Sequence, residues 1–108
     1  MSLPANVMQW HIGLVGYGEV GRILAEDLRA RGVENVMACD IKLGGEDEKP
    51  LREHAQQHGV KLTASHGQLA AGADLVISAV TASQAVPVAE SCAASLRSGA
   101  WFLDLNSA

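Results

Sequence analysis

The stretch "GLVGYGEVGRIL", residues 13–24, places glycines at Gly16, Gly18 and Gly21. Glycine weakens both helix and strand, so three in one short turn require a reason. "HIGLV", His11–Val15, precedes them and is short, apolar and β-prone. After them Val20, Ile23, Leu24 and Leu28 recur at helical spacing, with charges on the other face and Gly32 as a stop. The glycines therefore sit where a strand turns into a helix. There Gly16 allows the tight turn, Gly18 lets a pyrophosphate approach bare backbone, and Gly21 lets helix and strand pack closely. The helix N-terminus adds unpaired N–H groups and about half a positive charge.

The rest of the chain continues the alternation. "NVMACD", Asn35–Asp40, reads as a second strand ending on an acid, followed by the polar loop "IKLGGEDEK". Pro50 opens a short helix, Leu51–His58, closed by Gly59. Val60–Leu62 is a short third strand, and "SHGQLAAGA" gives one or two helical turns. "DLVISAV", Asp74–Val80, is a continuous apolar run of the kind buried on both faces of a parallel sheet. Ser83–Leu96 is helical, with Pro87 expected near its start, and "WFLDL", Trp101–Leu105, is a fifth strand. Strands alternating with helices predict an α/β fold: a three-layer, Rossmann-type, doubly wound parallel sheet, cut short after the fifth strand.

Asp40 lies about 20 residues beyond Gly21, where the dinucleotide fingerprint asks for an acid. A carboxylate there accepts from the ribose hydroxyls of NAD. A 2′-phosphate would be repelled, at roughly 1–4 kcal/mol per unit charge about 4 Å away. Lys42 leaves the matter open, because residues two apart share one side of an extended chain and a lysine offsets the acid. NAD is favoured and NADP stays possible. Glu19 beside a pyrophosphate has to point to solvent. Tyr17 either lies against the pyrophosphate or covers the strand end.

Bulk properties narrow the function classes. The 108 residues suit one domain. A net charge of −4 gives no polybasic surface for nucleic acid. No apolar run approaches the roughly 20 residues of a membrane span, and the opening lacks the pattern of a secretory signal. Cys39 and Cys92 lack metal-ligand spacing and read as buried thiols of a reducing compartment, which predicts a cytoplasmic protein. His54 and His58 stand at i, i+4, but without a third ligand they read as solvated helix histidines, so no metal site is expected. No G-x-S-x-G marks a hydrolase nucleophile.

Three stretches carry a family resemblance: "IGLVGYGEVGRILAEDLRARG", "ADLVISAVTASQAVPVA" and "GAWFLDLNSA". Together they make the chain similar to the N-terminal cofactor domain of the β-hydroxyacid dehydrogenases, which include 3-hydroxyisobutyrate and phosphogluconate dehydrogenase. The resemblance implies that Gly16, Tyr17, Gly18, Glu19 and Val20 line the pyrophosphate, mainly through backbone. It implies that Asp40, Ile41 and Lys42 flank the adenosine ribose. Val80 and Thr81 would lie along the cofactor, and Asn106 and Ser107 would reach the nicotinamide or substrate. Val20 stands where the family often has Met, and Asp40-Ile41 where NADP users have Asn-Arg.

The family's catalytic lysine lies later in its sequence, so these 108 residues are expected to bind cofactor without catalysing. The chain's end soon after an apolar fifth strand leads to the same expectation of a fragment, continued by a helical substrate domain through which the enzyme forms a homo-oligomer. The implied reaction is hydride transfer to or from a small hydroxy acid or related carbonyl substrate. Two rivals are a nucleotide-sensing regulatory module without activity and a sister reductase of the prephenate or pyrroline-carboxylate type.

Overall fold

The computed structural model describes residues 6–41, 45 and 48–105. After a single 3-10 turn at Val7–Gln9, the elements are β1 (His11–Val15), α1 (Glu19–Ala30), β2 (Asn35–Cys39), α2 (Glu48–His58) and β3 (Lys61–Leu62). They continue as α3 (His66–Gly72), β4 (Leu75–Ser78), α4 (Ala82–Ala93) and β5 (Trp101–Asp104). The strands form one sheet in the order β3-β2-β1-β4-β5, and every pairing is parallel. The doubly wound reading holds.

Strand periodicity explains the three layers. Successive side chains point to opposite faces. Ile12, Leu14, Val36, Ala38 and Ile77 pack with Ala25 of α1 and Leu51 and Ala55 of α2. Val15, Met37, Cys39 and Val76 pack on the other face, with Leu69 and Ala70 of α3 and Val88 and Cys92 of α4. Leu14 and Leu69 are fully buried, and truncating either to alanine costs about 2–5 kcal/mol.

Two helices differ from expectation. Helix α2 begins at Glu48 rather than Leu51, with Pro50 in its first turn and a Glu48–Arg52 ion pair one turn apart. Pro87 lies well inside α4, not near its start. A proline there forfeits the bond to the carbonyl of Ser83. Both residues are exposed, so water can serve that carbonyl. On the edge strand β5, Trp101 and Leu103 are exposed, while Phe102 packs against the second cluster. Among the described residues, no helix is long and apolar enough to cross a membrane.

Sheet order decides where a ligand fits. The chain leaves β1 toward β2 on one side and later crosses to β4 on the other. The connections that leave the paired carboxyl ends of β1 and β4 therefore diverge and open a crevice above them.

Candidate functional site

The turn after β1 is built around its glycines. Gly16 has φ +94°, a left-handed conformation that a side chain rarely adopts, and its N–H donates to the Cys39 carbonyl at 2.8 Å. A Cβ on Gly21 would overlap the carbonyl oxygen of Gly16, so this glycine serves the close approach of helix to strand. Gly18 is different. Among the described residues a Cβ there would meet no atom within 4 Å, and its φ of −80° needs no glycine. Among the described residues nothing demands that this backbone be bare. The open space belongs to the crevice.

That crevice is a cleft of about 200 Å³, lined by Gly16 and Gly18 at the end of β1, Asp40 and Ile41 after β2, and Val80 and Thr81 after β4. Two helices begin at it without side-chain caps: α1 behind Gly18 and α4 behind Thr81. Uncapped N-termini present N–H groups and a positive dipole end to whatever fills the cleft. The chemistry of this lining suits an anionic group beside the glycine turn and a polar group facing Asp40.

The predicted residues do not all act together. Glu19 and Val20 lie in the first turn of α1 and face solvent, and neither lines the cleft; Gly21 is buried in the helix–strand contact. Tyr17 is fully buried, its ring in the core cluster beneath α1 and α2. The side chain therefore points inward, away from the cleft, and packs in the cluster that holds Ile12 and Leu14 of β1. The Tyr17 N–H donates to Asp40 Oδ2 at 2.6 Å. Lys42, Asn106 and Ser107 lie outside the described residues.

Sequence reasoning missed His66, Gln84 and Val88, which also line the cleft. His66 opens α3 behind the Ser65 cap and borders a second recess beside Cys39, Asp40 and Ile41. The Ser-His pair was visible as a helix start, but only the fold brings it beside Asp40.

The reading of His54 and His58 as solvated is corrected. Both are partly buried, and packing of α2 against α1 brings Glu26 to them. His54 Nε2 is 3.0 Å from Glu26 Oε1, while Nδ1 meets the Tyr17 hydroxyl at 2.5 Å. Burial pushes the Tyr17 phenol up to about 12; Arg22 opposes that rise and Glu26 adds to it. Cys39 and Cys92 are buried free thiols, both raised by desolvation.

A protein of Sinorhizobium meliloti 1021, described only as conserved and hypothetical, is 31% identical with a TM-score of 0.85, over 94% of this chain and 34% of that one. A proposed F420-dependent NADP-reductase from Arthrobacter sp. FB24 is 27% identical with a TM-score of 0.74, over 89% of this chain and 45% of that one. The 3-hydroxyisobutyrate dehydrogenase of Mycobacterium tuberculosis shares the fold at 24% identity and a TM-score of 0.74, over 89% and 31% of the two chains. The chain thus spans about a third of the length of the first of these. No match emerges among curated proteins. The resemblance to an N-terminal nicotinamide-binding domain is upheld, and the family model that matches covers residues 11–107, from the first residue of β1 to past the end of β5. By that match the chain belongs to the family described as NADP oxidoreductase, coenzyme F420-dependent.

Proposed function

We propose that the cleft between β1 and β4 holds a nicotinamide dinucleotide, and that the chain is the cofactor-binding domain of a dehydrogenase or reductase. One observation carries this reading: Gly18 is bare toward the cleft although no atom of the described residues requires it. The cofactor supplies the hydride chemistry when bound. The chain's own part is to bind and orient. Bare backbone at Gly16 and Gly18 and the start of α4 hold the pyrophosphate, with Glu19 and Val20 contributing only as the N-terminus of α1 and Tyr17 closing the turn through Asp40. Asp40 and Ile41 receive the adenosine ribose, together with Lys42. Val80 and Thr81 lie along the cofactor, and Asn106 and Ser107 are assigned to the nicotinamide or substrate on the resemblance alone.

NAD is the preferred partner on the argument from Asp40. The hydrogen bond from Tyr17 fixes that carboxylate at the cleft wall, where it opposes a 2′-phosphate. The substrate is a small hydroxy acid or a related carbonyl compound. The groups that act on it belong to a helical domain following this one, through which a cytoplasmic homo-oligomer forms. Membership of an oxidoreductase family supports this reading over the sensor module.

Calorimetric titration with NADH and NADPH, on this chain and on Asp40→Ala, is the test. NADH should bind more tightly, and the variant should narrow the difference. If neither nucleotide binds the folded chain or a longer form carrying the following domain, the assignment fails.

A further inference from the structure

Helices α1 and α2 lie side by side on one face of the sheet, and their groove holds a second group of chemically able side chains. Glu26 comes from α1; His54 and His58, one turn apart, come from α2. One ligand atom from each of the three lies within 4.8 Å of the others. Glu26 Oε1 stands 3.0 Å from His54 Nε2 and 3.5 Å from His58 Nε2. A tetrahedral ion that holds its donors at about 2.0–2.1 Å sets neighbouring donors about 3.3 Å apart. The two separations from Glu26 bracket that spacing, and the two histidine nitrogens lie within 4.8 Å of each other.

The surroundings suit ligation. The two imidazoles lie near one another, 4.3 Å between centroids and tilted by 34°, so both reach the same side of the groove. His54 Nδ1 meets the hydroxyl of the buried Tyr17. With Nε2 engaged by a metal, Nδ1 carries the ring proton and donates to the Tyr17 oxygen. That outer hydrogen bond fixes ring orientation and tautomer, as metal-bound histidines require. His58 sits in a turn that is pinned: Arg29 Nε donates to the His58 carbonyl at 3.0 Å, and Nη1 donates to the carbonyls of Val33 and Glu34. These bonds aim the guanidinium at carbonyl oxygens. Partial exposure of Glu26 and His58 gives an entry path and room for water as a further ligand.

We infer that Glu26, His54 and His58 form a binding site for a divalent transition-metal ion of the zinc class, in the α1–α2 groove and apart from the dinucleotide cleft. Two imidazoles and one carboxylate are donors of the type such ions take, and three protein ligands leave a coordination position open. The ion takes the Nε2 lone pair of His54 and the ring proton passes to Nδ1; protonated imidazoles and a protonated carboxyl cannot ligate, so binding weakens as pH falls. The site is joined to the glycine turn through one residue, since Tyr17 bonds His54 with its hydroxyl and Asp40 with its N–H. The assignment does not depend on what occupies the cleft.

Titration of the metal-free protein with Zn²⁺, followed by calorimetry, tests it. One ion per chain is expected to bind. His58→Gln and Glu26→Gln should each weaken binding at least about ten-fold, because each removes a ligand rather than an outer partner. Both positions are partly exposed, and circular dichroism checks that the variants stay folded. Co²⁺ in place of Zn²⁺ should give a visible absorption band that both variants lose. Absence of stoichiometric binding to the wild type would overturn the site. So would binding that both folded variants retain undiminished, which would place the ion elsewhere.

Discussion

The backbone N–H of Tyr17 is held by Asp40 across the ends of two neighbouring strands, at 2.6 Å. The same acid that the nucleotide fingerprint calls for is thus also the acceptor that closes the glycine turn. Removing it should act on the fold as well as on the ligand. Asp40→Ala leaves the Tyr17 N–H in a turn where both flanking glycines are wholly or partly buried, and should cost about 1–3 kcal/mol in urea unfolding. Asp40→Asn keeps an acceptor oxygen and should cost less. Equal stability of the two variants and the wild type would show that the bond contributes nothing.

The glycines separate by role, and substitution should separate them too. Gly18→Ala adds a Cβ that meets no protein atom, so its thermal unfolding should stay within about 1 kcal/mol of the wild type. Its NADH affinity should fall sharply, because the methyl occupies the space assigned to the pyrophosphate. Gly21→Ala drives a Cβ into the Gly16 carbonyl and should prevent stable folding. A Gly18→Ala protein that binds as tightly as the wild type would remove the main support for the dinucleotide site.

Why these glycines were legible, and other parts of the site were not, follows from range. Gly16, Gly18 and Gly21 act on backbone within a few residues, so spacing alone exposes their roles. The apolar run at Leu75–Ser78 announces a buried strand for the same reason. Tyr17 defeats the sequence because it sits in a turn, where neither strand nor helix periodicity says which way a side chain points. Glu26 and His54 are 28 residues apart, and only the packing of α1 on α2 brings them together. Helical spacing shows the two histidines as a pair but is silent about their partner. Pro87 misleads because proline usually marks a helix start, whereas an exposed mid-helix site tolerates it at a cost that composition does not reveal.

Tyr17 makes stability depend on alkaline pH. Its phenol titrates near 12 in the folded chain against 10.0 when unperturbed, chiefly through burial. Burial disfavours the tyrosinate, so above pH 10 the unfolded chain loses its proton first. The contribution is fully present below pH 10 and is lost as pH rises through about 12. Two pKa units correspond to about 3 kcal/mol at most. Tyr17→Phe should begin less stable, having lost the bond to His54, and should show a flatter decline over this window. Parallel denaturation curves from pH 9 to 12 for both proteins would contradict the buried phenol.

Asp74 should prove the most costly polar residue to lose. It immediately precedes β4 and is 6% exposed. Its Oδ2 accepts from the His11 N–H at 2.7 Å and its Oδ1 from Arg97 Nη2 at 2.6 Å. Its own N–H donates to the His11 carbonyl, and its carbonyl accepts from the Trp101 N–H. One residue thus ties the starts of β1, β4 and β5 to the segment after α4. The backbone bonds survive substitution, but the side-chain bonds do not. Asp74→Ala removes the carboxylate that both the Arg97 guanidinium and the His11 amide bond, at about 2–4 kcal/mol in guanidinium unfolding. Asp74→Asn retains an acceptor for His11 and should lose about half as much. These contacts lie at the amino ends of the strands, opposite the cleft, so nucleotide affinity of whatever stays folded should hardly change. A loss below about 1 kcal/mol for Asp74→Ala would mean that water replaces the carboxylate without penalty.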